Sequence, residues 1–552
     1  MADKAVRGGH KNPLALARSQ TSKRTSSEKK TNNGSSKAEQ LWHKRSGGGL
    51  NLFVEYYCGQ PEGVIVTKDG IKEGNDSLSD EVQSTTITTT SHGMSRAAQR
   101  RRRKKRKLNH ADPEDDGHFP NSKLMTDSEP VPTIQPITFE RFRLYDDQLL
   151  PIFKEHLQHN PHLKSKESSY YQAFFEVLST PLPIAFRLRR NLSKVAELQR
   201  QTELQSFAAH VQPALYDATI FHAHQGLDKE SLARTCPKLK KFLNEHSLDG
   251  SIARQELGSM LPVWLLGRIG VVEAACSKEG SKCRVLDMCA SPGSKTLQIA
   301  ELISPHGGTV RANDVHEARL QTLKDALQRS GVPCLEQVLK FANFDATRYP
   351  LPKNEGKKYS IVLCDVPCSG DGTSRKDPHI IPNWMPSIGN RLHTTQLNIL
   401  LRALQCVQLN GVVSYSTCSL NPVEDEAVVS AALRRIQEVD QAMEFELLQI
   451  SEIALDGLVL RHGVNNWRVA DYLYEGNDND SIEEEGHRPK LKWYETFEEA
   501  KSNEMADAQE SLWPSTKNGY ENPNHNLSRC CRLLPQDHDA GGFFVALIKR
   551  LQ

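Results

Sequence analysis

The stretch "VLDMCASPGSKT" at residues 285–296 predicts the fold of most of this 552-residue chain. Its first residues are apolar and β-prone, its middle is a loop of small residues, and its end begins a helix. Strand, short loop and helix in this order are typical of a doubly wound α/β sheet, which binds its ligand beyond the carboxyl ends of the strands. The stretch contains neither GxGxxG nor GxxxxGK[ST], so it is not predicted to bind a dinucleotide or to cradle a nucleotide phosphate.

Alternating strands and helices continue on the carboxyl side of this stretch. Four further strands are predicted in "GTVRAND", "LEQVLKFANFDA", "YSIVLCDVP" and "GVVSYSTCS", with amphipathic helices between them. The apolar run in "YSIVLCDVP" is typical of a strand buried on both faces. Two more strands are predicted in "LSRCCRLLP" and "GGFFVALIKR" near the end of the sequence. The pattern therefore predicts a mainly parallel sheet.

Composition divides the chain into three regions. Residues 1–135 are rich in Ser, Thr, Gly, Asn, Lys and Arg and are predicted to be a disordered basic tail. Residues 136–250 are predicted to form a small α/β domain, and residues 251–552 a catalytic domain with an irregular insertion at about 461–525. Within the catalytic domain, "SIARQELGSMLPVWLL" predicts a capped helix that stops near Pro262.

Positive charge is concentrated in the predicted tail. The whole chain has a net charge of +2, but residues 1–130 hold 23 lysines and arginines against 16 acidic residues. The run "RRRRKKRK" begins at Arg100 and ends at Lys107. We expect it to bind a nuclear import receptor, with or without RNA contact, although a solvated charge run would have the same composition.

Several classes of protein are not expected. There is no apolar stretch of membrane-spanning length and no secretory leader pattern, so neither a membrane nor an export role is predicted. The twelve cysteines are expected to be reduced thiols, and their spacing predicts no metal site.

Three acidic residues end successive predicted strands: Asp287, Asp314 and Asp345. An acid after the second strand of such a sheet typically accepts hydrogen bonds from ribose hydroxyls. Together the three acids suit a nucleoside that carries a cationic amino-acid tail, which is S-adenosylmethionine. The alternative is that each acid only caps a helix.

Two cysteines follow the fourth and fifth strands. Cys368 in "CDVPCSGDGTSRKDP" and Cys418 in "YSTCSLNP" would face the same crevice, with Asp365 beside them. Alone, Cys418 could equally be a buried core residue. Two thiols and an acid near a methyl donor suit methylation of an unactivated ring carbon such as cytosine C5, through a thiolate adduct at C6. We expect a helix N-terminus or a cation, with Lys295 and Arg375 as candidates, to lower the thiol pKa.

"DMCASPGSKT", "CDVPCSGDGT" and "YSTCSLNPVEDEAVV" resemble the motifs of the RNA (cytosine-5) methyltransferases of the Sun-domain type. The resemblance covers about residues 140–460 and 527–552, and "NNWRV" and "RLLP" most resemble the eukaryotic nuclear tRNA branch. It implies a class I S-adenosylmethionine-dependent methyltransferase fold, with a Rossmann-like seven-stranded, mostly parallel sheet and an antiparallel last strand. A small α/β RNA-binding domain would precede it.

The resemblance also implies residue roles. Cys418 would be the nucleophile, Cys368 would assist release of the methylated RNA, Asp365 would contact the cytosine edge and Lys295 would lie in the active site. The predicted cofactor-binding residues are Asp287, Cys289, Ala290, Ser291, Pro292, Gly293, Ser294, Lys295, Asp314, Asp345 and Asp365. The candidate RNA contacts are Arg187, Arg189, Arg190 and Arg375, although an exposed arginine trio is often only a solvated edge.

The predicted function is therefore cytosine-5 methylation of RNA, with tRNA as substrate. Ribosomal RNA is the alternative substrate, and a non-catalytic RNA-binding scaffold is the alternative of another class. We expect a monomer in the nucleus, where a nucleolar address would suit either RNA.

Overall fold

The computed structural model describes a hairpin at residues 64–67 and 70–73, and then residues 173–552 with gaps. The gaps are residues 175–176, 179, 191–192, 225, 278–281, 331–333, 378–379, 381–383, 451–456, 474–489 and 515–524. The hairpin pairs β1 (Val64–Thr67) with antiparallel β2 (Gly70–Glu73), inside the segment predicted to be a disordered tail. The basic run at 100–107 lies outside the described residues.

A small antiparallel sheet precedes the catalytic domain. Its elements in chain order are β3 (Ala185–Leu188), α1 (Lys194–Gln205), β4 (Val211–Ala214), β5 (Asp217–Ala223), α2 (Leu232–Thr235), α3 (Pro237–Leu248) and β6 (Ile252–Arg254). The strands lie in the order β4-β5-β3-β6. Phe186 and Phe221 stack on one face with ring centroids 5.4 Å apart, and the apolar side of α3 covers the same core. The sheet ends at Arg254, slightly beyond the predicted domain boundary at 250.

The second and larger unit alternates helices and strands. Its first elements are α4 (Leu257–Arg268), α5 (Val271–Cys276), β7 (Arg284–Asp287), α6 (Ser294–Ile303), β8 (Thr309–Asn313), α7 (Glu317–Arg329), α8 (Cys334–Val338), β9 (Leu339–Ala342) and β10 (Tyr359–Asp365). They are followed by α9 (Pro386–Cys406), β11 (Val407–Thr417), α10 (Glu426–Val439), β12 (Phe445–Leu447), β13 (Arg461–His462), β14 (Val469–Leu473), β15 (Lys490–Tyr494), α11 (Phe497–Ser502), β16 (Cys531–Leu533), α12 (Pro535–His538) and β17 (Phe543–Arg550).

Seven strands form the central part of this sheet, in the order β9-β8-β7-β10-β11-β17-β16. The first five are parallel, whereas β17 is antiparallel to β11 and β16 is antiparallel to β17. The predicted mostly parallel sheet with an antiparallel last strand is therefore confirmed. Short strands β12 and β13 extend it to nine strands, by pairing with β17 and β16.

Both faces of the sheet are buried, because successive side chains of a strand point to opposite faces. In β10, Val362 belongs to one apolar cluster and Ile361 and Leu363 to the other. Helices α9 and α10 supply the first cluster, and α4 and α6 the second. All of β10 except Asp365 is buried, as its apolar run predicts.

Helix α4 corrects the prediction that this helix stops near Pro262. Glu256 caps it by accepting hydrogen bonds from the N–H groups of Gly258 and Ser259, and the helix then continues through Pro262 to Arg268. A proline inside a helix removes one hydrogen bond. The helix tolerates this loss because its residues from Leu257 to Leu266, apart from one, are buried between the two sheets.

The segment 461–525 is not irregular in its described part. It contains β13, the antiparallel β14–β15 hairpin and α11. Trp467 is buried and donates its ring N–H to the carbonyl oxygen of Leu512 at 2.7 Å, and the His393 ring of α9 contacts the Ser511 hydroxyl at 2.9 Å. The described part of this segment therefore packs onto α9 as part of the larger unit.

Among the helices of the described residues, none combines the length and the apolar character that crossing a membrane requires.

Candidate active site

The carboxyl ends of the parallel strands bring the predicted site residues together at one edge of the sheet. Asp287 and Asp365 are the last residues of β7 and β10, and Cys418 directly follows β11. Asp314 directly follows β8. Parallel strands that start at one edge must end at the other, so these groups line a single crevice.

The two predicted thiols lie in contact. Cys368 and Cys418 are half-buried, and their Sγ atoms are 3.2 Å apart. The loop that carries Cys368 is bonded to the end of β11 by the N–H of Gly372, which donates to the carbonyl oxygen of Cys418 at 3.0 Å. A Cβ atom at Gly372 would lie 2.7 Å from that oxygen, so only glycine allows this close approach.

An ion pair lies next to the thiols. The Nζ of Lys295 donates to Oδ2 of Asp365 at 2.7 Å and to the Ser259 hydroxyl at 3.1 Å. The Ser416 hydroxyl donates to the other oxygen of Asp365 at 2.9 Å. These hydrogen bonds fix the orientation of the Asp365 carboxylate, and 33% of its side-chain surface remains exposed.

The environment of Cys368 does not favour its thiolate. The hydrogen bond with Cys418 and burial both raise the pKa of the Cys368 thiol well above its ordinary value. Neither Lys295 nor Arg375 is among the groups that shift the pKa of Cys368, so the expected lowering by a cation does not apply to this thiol. A thiol that stays protonated can donate a proton, whereas a nucleophile must lose one.

Two acids are fixed at the predicted cofactor end of the crevice. Asp314 accepts hydrogen bonds from the N–H groups of His316 and Ser291, at 3.0 and 3.3 Å. Asp287 is 2% exposed and accepts a hydrogen bond from the Thr296 hydroxyl at 2.7 Å. Burial raises the pKa of Asp287 to about 7.

The donor set fits S-adenosylmethionine. Among the described atoms, the buried Oδ1 of Asp287 has no hydrogen-bond partner, so it is an acceptor available to a cationic group such as an ammonium. Gly293 adopts a positive φ of 112° before α6, and a Cβ there would overlap Leu323. This turn keeps the loop 289–294 close to the helix start, where backbone N–H groups favour a carboxylate.

Asp345 differs from the other two acids. It is exposed, and its Oδ1 accepts hydrogen bonds from the N–H and hydroxyl of Thr347, as a capping residue does. The capping alternative therefore applies to Asp345, although the residue still follows β9 at the same edge of the sheet.

Three of the four arginines predicted to contact RNA are buried, which corrects that prediction. Arg187 and Arg189 both form 2.5 Å ion pairs with the fully buried Glu301. Arg375 pairs with Asp539 at 2.6 Å and its side chain is 0% exposed. Phosphate contact needs an accessible guanidinium, so these three hold the protein together instead. Arg190 keeps 51% of its side-chain surface exposed, although it pairs with Asp217 at 3.1 Å.

Three buried acids behind the thiols were not predicted as site residues from the sequence. Glu424, Asp425 and Glu426 are all 0% exposed, although acids at and just before the start of a helix would ordinarily face solvent. Glu426 forms a buried ion pair with Arg532, and Asp425 accepts a hydrogen bond from the Thr417 hydroxyl at 2.6 Å. Burial raises the pKa of Glu424 to about 7. The available sequence signal was three consecutive acids directly after the Cys418 turn.

In the part of the chain that the structure describes, no group of three or more His, Cys, Asp or Glu side chains is arranged to hold a metal ion.

The sheet order, with one antiparallel strand inserted beside β11, defines a class I S-adenosylmethionine-dependent methyltransferase fold. Residues 276–459 match the family model described as 16S rRNA methyltransferase RsmB/F. This match agrees with the resemblance of the two cysteine motifs.

Named relatives extend the match beyond the catalytic region. The multisite-specific tRNA:(cytosine-C(5))-methyltransferase of Saccharomyces cerevisiae is 31% identical over 69% of this chain and 53% of its own length. The tRNA (cytosine(34)-C(5))-methyltransferase of Drosophila melanogaster is 33% identical over 59% of this chain and 40% of its own length. The ribosomal RNA small subunit methyltransferase F of Serratia proteamaculans is 32% identical over 46% of this chain and 47% of its own length. The chain thus spans about half the length of the curated relatives it matches.

Proposed function

We propose that this protein methylates cytosine C5 in RNA, with S-adenosylmethionine as methyl donor and tRNA as substrate. The observation that carries the proposal is the pair of thiols, 3.2 Å apart, beside the Lys295–Asp365 ion pair. Cytosine C5 is not nucleophilic by itself, and covalent addition of a thiolate at C6 makes it so. A site with two thiols has one group to add to C6 and another to assist elimination.

In this proposal the Cys418 thiolate adds to C6 of the cytosine and N3 takes up a proton that balances the added charge. The Asp365 carboxylate accepts a hydrogen bond from that edge of the base. When bound, S-adenosylmethionine supplies an electrophilic methyl group, which the activated C5 takes up. The proton on C5 must then leave so that the bond between C6 and the Cys418 sulfur can break. A base takes the C5 proton, the electron pair of that C–H bond re-forms the C5–C6 double bond, and Cys418 leaves C6 as a thiolate. Cys368 is placed to assist that release. Lys295 holds the Asp365 carboxylate towards the base.

The choice of tRNA rests on the names of two relatives, because both the yeast and the fly protein are tRNA (cytosine-C5) methyltransferases. Ribosomal RNA is the second candidate, since the family model and the Serratia relative carry ribosomal RNA names. We also propose a location in the nucleus or nucleolus, which the basic run at 100–107 supports as a signal for an import receptor. The proposed oligomeric state is a monomer. Arg190 is the remaining proposed phosphate contact.

The function is tested with the purified chain, S-adenosylmethionine and unmodified tRNA, and bisulfite mapping detects methylated cytosines. Wild-type protein should methylate discrete tRNA positions, and Cys418→Ala should abolish methylation because C5 stays unactivated. Cys368→Ala should form the adduct but resolve it slowly, so a denaturant-resistant protein–RNA complex should accumulate.

Three outcomes would contradict this assignment. Near-normal turnover by Cys418→Ala would remove it as the nucleophile. Cys368→Ala with normal methylation and no trapped complex would remove Cys368 from the reaction. Methylation of ribosomal RNA but not of tRNA would move the substrate to the second candidate.

A further inference from the structure

A buried carboxylate lies between the two segments that carry the thiols. Glu424 is 0% exposed and belongs to the turn between β11 and α10. On one side of it is the residue after Cys368, and on the other is the residue after Cys418. It reaches both segments with its two oxygens.

Four donors converge on these oxygens. The N–H of Ser369 donates to Oε1 at 2.8 Å, and the Ser369 hydroxyl donates to Oε2 at 2.5 Å. The Ser419 hydroxyl also donates to Oε2, at 2.8 Å, and the Gln396 side-chain amide donates to Oε1 at 3.1 Å. Ser369 and Ser419 are the chain neighbours of Cys368 and Cys418, so one carboxylate fixes both thiol-bearing segments.

We propose that Glu424 is a positioning residue that sets the spacing of the Cys368 and Cys418 thiols by binding Ser369 and Ser419. This inference rests on the proposed function, because a fixed thiol spacing matters to the reaction only if both thiols act on one base. Glu424 itself does not touch the crevice; it acts through its two serine partners.

The chemistry of the four contacts requires a carboxylate. All four partners can donate, and a carboxylate has two oxygens that accept at every site. A glutamine would keep one accepting oxygen and place an NH₂ group against the Ser369 and Ser419 hydroxyls. Burying an acid is costly, since desolvation disfavours its charge. Buried acids with a shifted pKa cluster at functional sites.

A second acid, Asp371, joins the same two segments through backbone N–H groups. Oδ1 of Asp371 accepts hydrogen bonds from the N–H groups of Gly372 and Leu420, both at 3.0 Å. Asp371 therefore joins the Cys368 loop to Leu420, which lies one residue further from Cys418 than Ser419 does. Glu424 is the acid whose partners adjoin the sulfur-bearing residues directly.

The test measures thiol spacing without relying on methylation. Diamide removes two electrons and two protons from a thiol pair, and the rate at which a Cys368–Cys418 disulfide forms reports how closely the thiols are held. Thiol labelling and mass mapping of the peptides distinguish this disulfide from those of other cysteines. In Ser369→Ala and Ser419→Ala, which each remove one side-chain donor, closure should slow about fivefold. In Glu424→Ala it should slow by more than either.

The rate of disulfide formation in Glu424→Gln should lie between the rates in Ser419→Ala and Glu424→Ala, because glutamine keeps one accepting oxygen. Glu355→Gln is the matched control, since Glu355 is a carboxylate outside the crevice that pairs with Lys358 and Arg550. In Glu355→Gln the Cys368–Cys418 disulfide should form at the wild-type rate. If Glu424→Ala does not fold, the two serine variants still decide the matter. Wild-type closure rates in folded Ser369→Ala, Ser419→Ala and Glu424→Gln would overturn the proposal.

Activity gives a second, separate readout. With unmodified tRNA as the probe, the Glu424 variants should lose kcat about in step with their closure rate, while the KM for tRNA stays unchanged. A general loss of structure would raise KM as well. If the wild-type protein methylates no RNA at all, the proposed function fails, but slower closure in the variants would still support the positioning role.

Discussion

At the scale of single residues, the buried Asp287 links the cofactor end of the crevice to pH. Burial raises its pKa to about 7, whereas the pKa of an aspartate in an unfolded chain is about 4. Between these values the folded protein keeps a proton that the unfolded chain has released. The stability that this group contributes is therefore complete below about pH 4 and is lost as the pH rises through about 7.

Asp287→Asn, which is neutral at every pH, should remove this dependence. Between pH 4 and pH 7 its free energy of unfolding should rise by about 4 kcal/mol relative to wild type, measured by urea titration without cofactor. Above pH 7 the free energies of unfolding of Asp287→Asn and wild type should change in parallel, which provides an internal control. A difference that stays constant from pH 4 to pH 7 would show that Asp287 is ionised in the folded protein.

At the scale of elements, Gly372 decides how closely the ends of β11 and β17 meet the Cys368 loop. A Cβ atom there would lie 2.6 Å from the carbonyl oxygen of Gly542 and 2.7 Å from that of Cys418. Both contacts are with backbone, so the strands themselves would have to separate. The site therefore depends on the absence of a side chain.

Gly372→Ala should destabilise the protein by about 1–3 kcal/mol, the usual range for an added methyl group in a packed site. It should also lower methylation more than this loss alone explains, because Cys418 is displaced. Gly267→Ala is the matched control: it lies in α4, and the nearest side-chain atom to its Cβ is 3.7 Å away. Urea unfolding and initial methylation rates would be compared, and equal effects of the two substitutions would contradict the role of Gly372.

The strands around this glycine were predictable, because buried parallel strands carry apolar runs and end in polar residues at one edge. The placement of Cys368 beside Cys418 followed from that rule. Helix α4 was not predicted to its full length, since local proline chemistry signalled a stop at Pro262 while the burial of its flanks depends on distant parts of the chain. The burial of the acid cluster beginning at Glu424 was not predicted for the same reason, because its partners lie on other elements.

At the scale of the whole molecule, one buried ion triad joins the small sheet to the catalytic domain. Arg187 of β3 and Arg189 just after it both bind Glu301 of α6, the helix that begins at the cofactor loop. Gln255 adds hydrogen bonds to Arg187 and to Gln298 of α6, at 3.1 and 2.8 Å. The sequence did not reveal this pairing, because Arg187 and Glu301 are 114 positions apart.

Glu301→Gln should lower the free energy of unfolding by about 3–5 kcal/mol, because it leaves two arginines buried without their counter-charge. Glu355→Gln, which removes an accessible partner of Arg550, should cost about 1 kcal/mol or less. Urea denaturation followed by tryptophan fluorescence measures both. A small effect at Glu301 would mean that the two arginines find water or other acceptors when it is replaced.

The position of the antiparallel strand β17 also determines when the sheet can be completed during synthesis of the chain. It lies between β11 and β16, so residues 407–417 and 531–533 each need residues 543–550 as a neighbour. On the ribosome, β11 is made long before β17 and waits with an open apolar edge, a template for aggregation. The hydrogen bond from the N–H of Gly542 to the carbonyl oxygen of Gly372, in the Cys368 loop, can form only after residues 543–550 have emerged. Newly made chains are therefore expected to need chaperone protection through this interval.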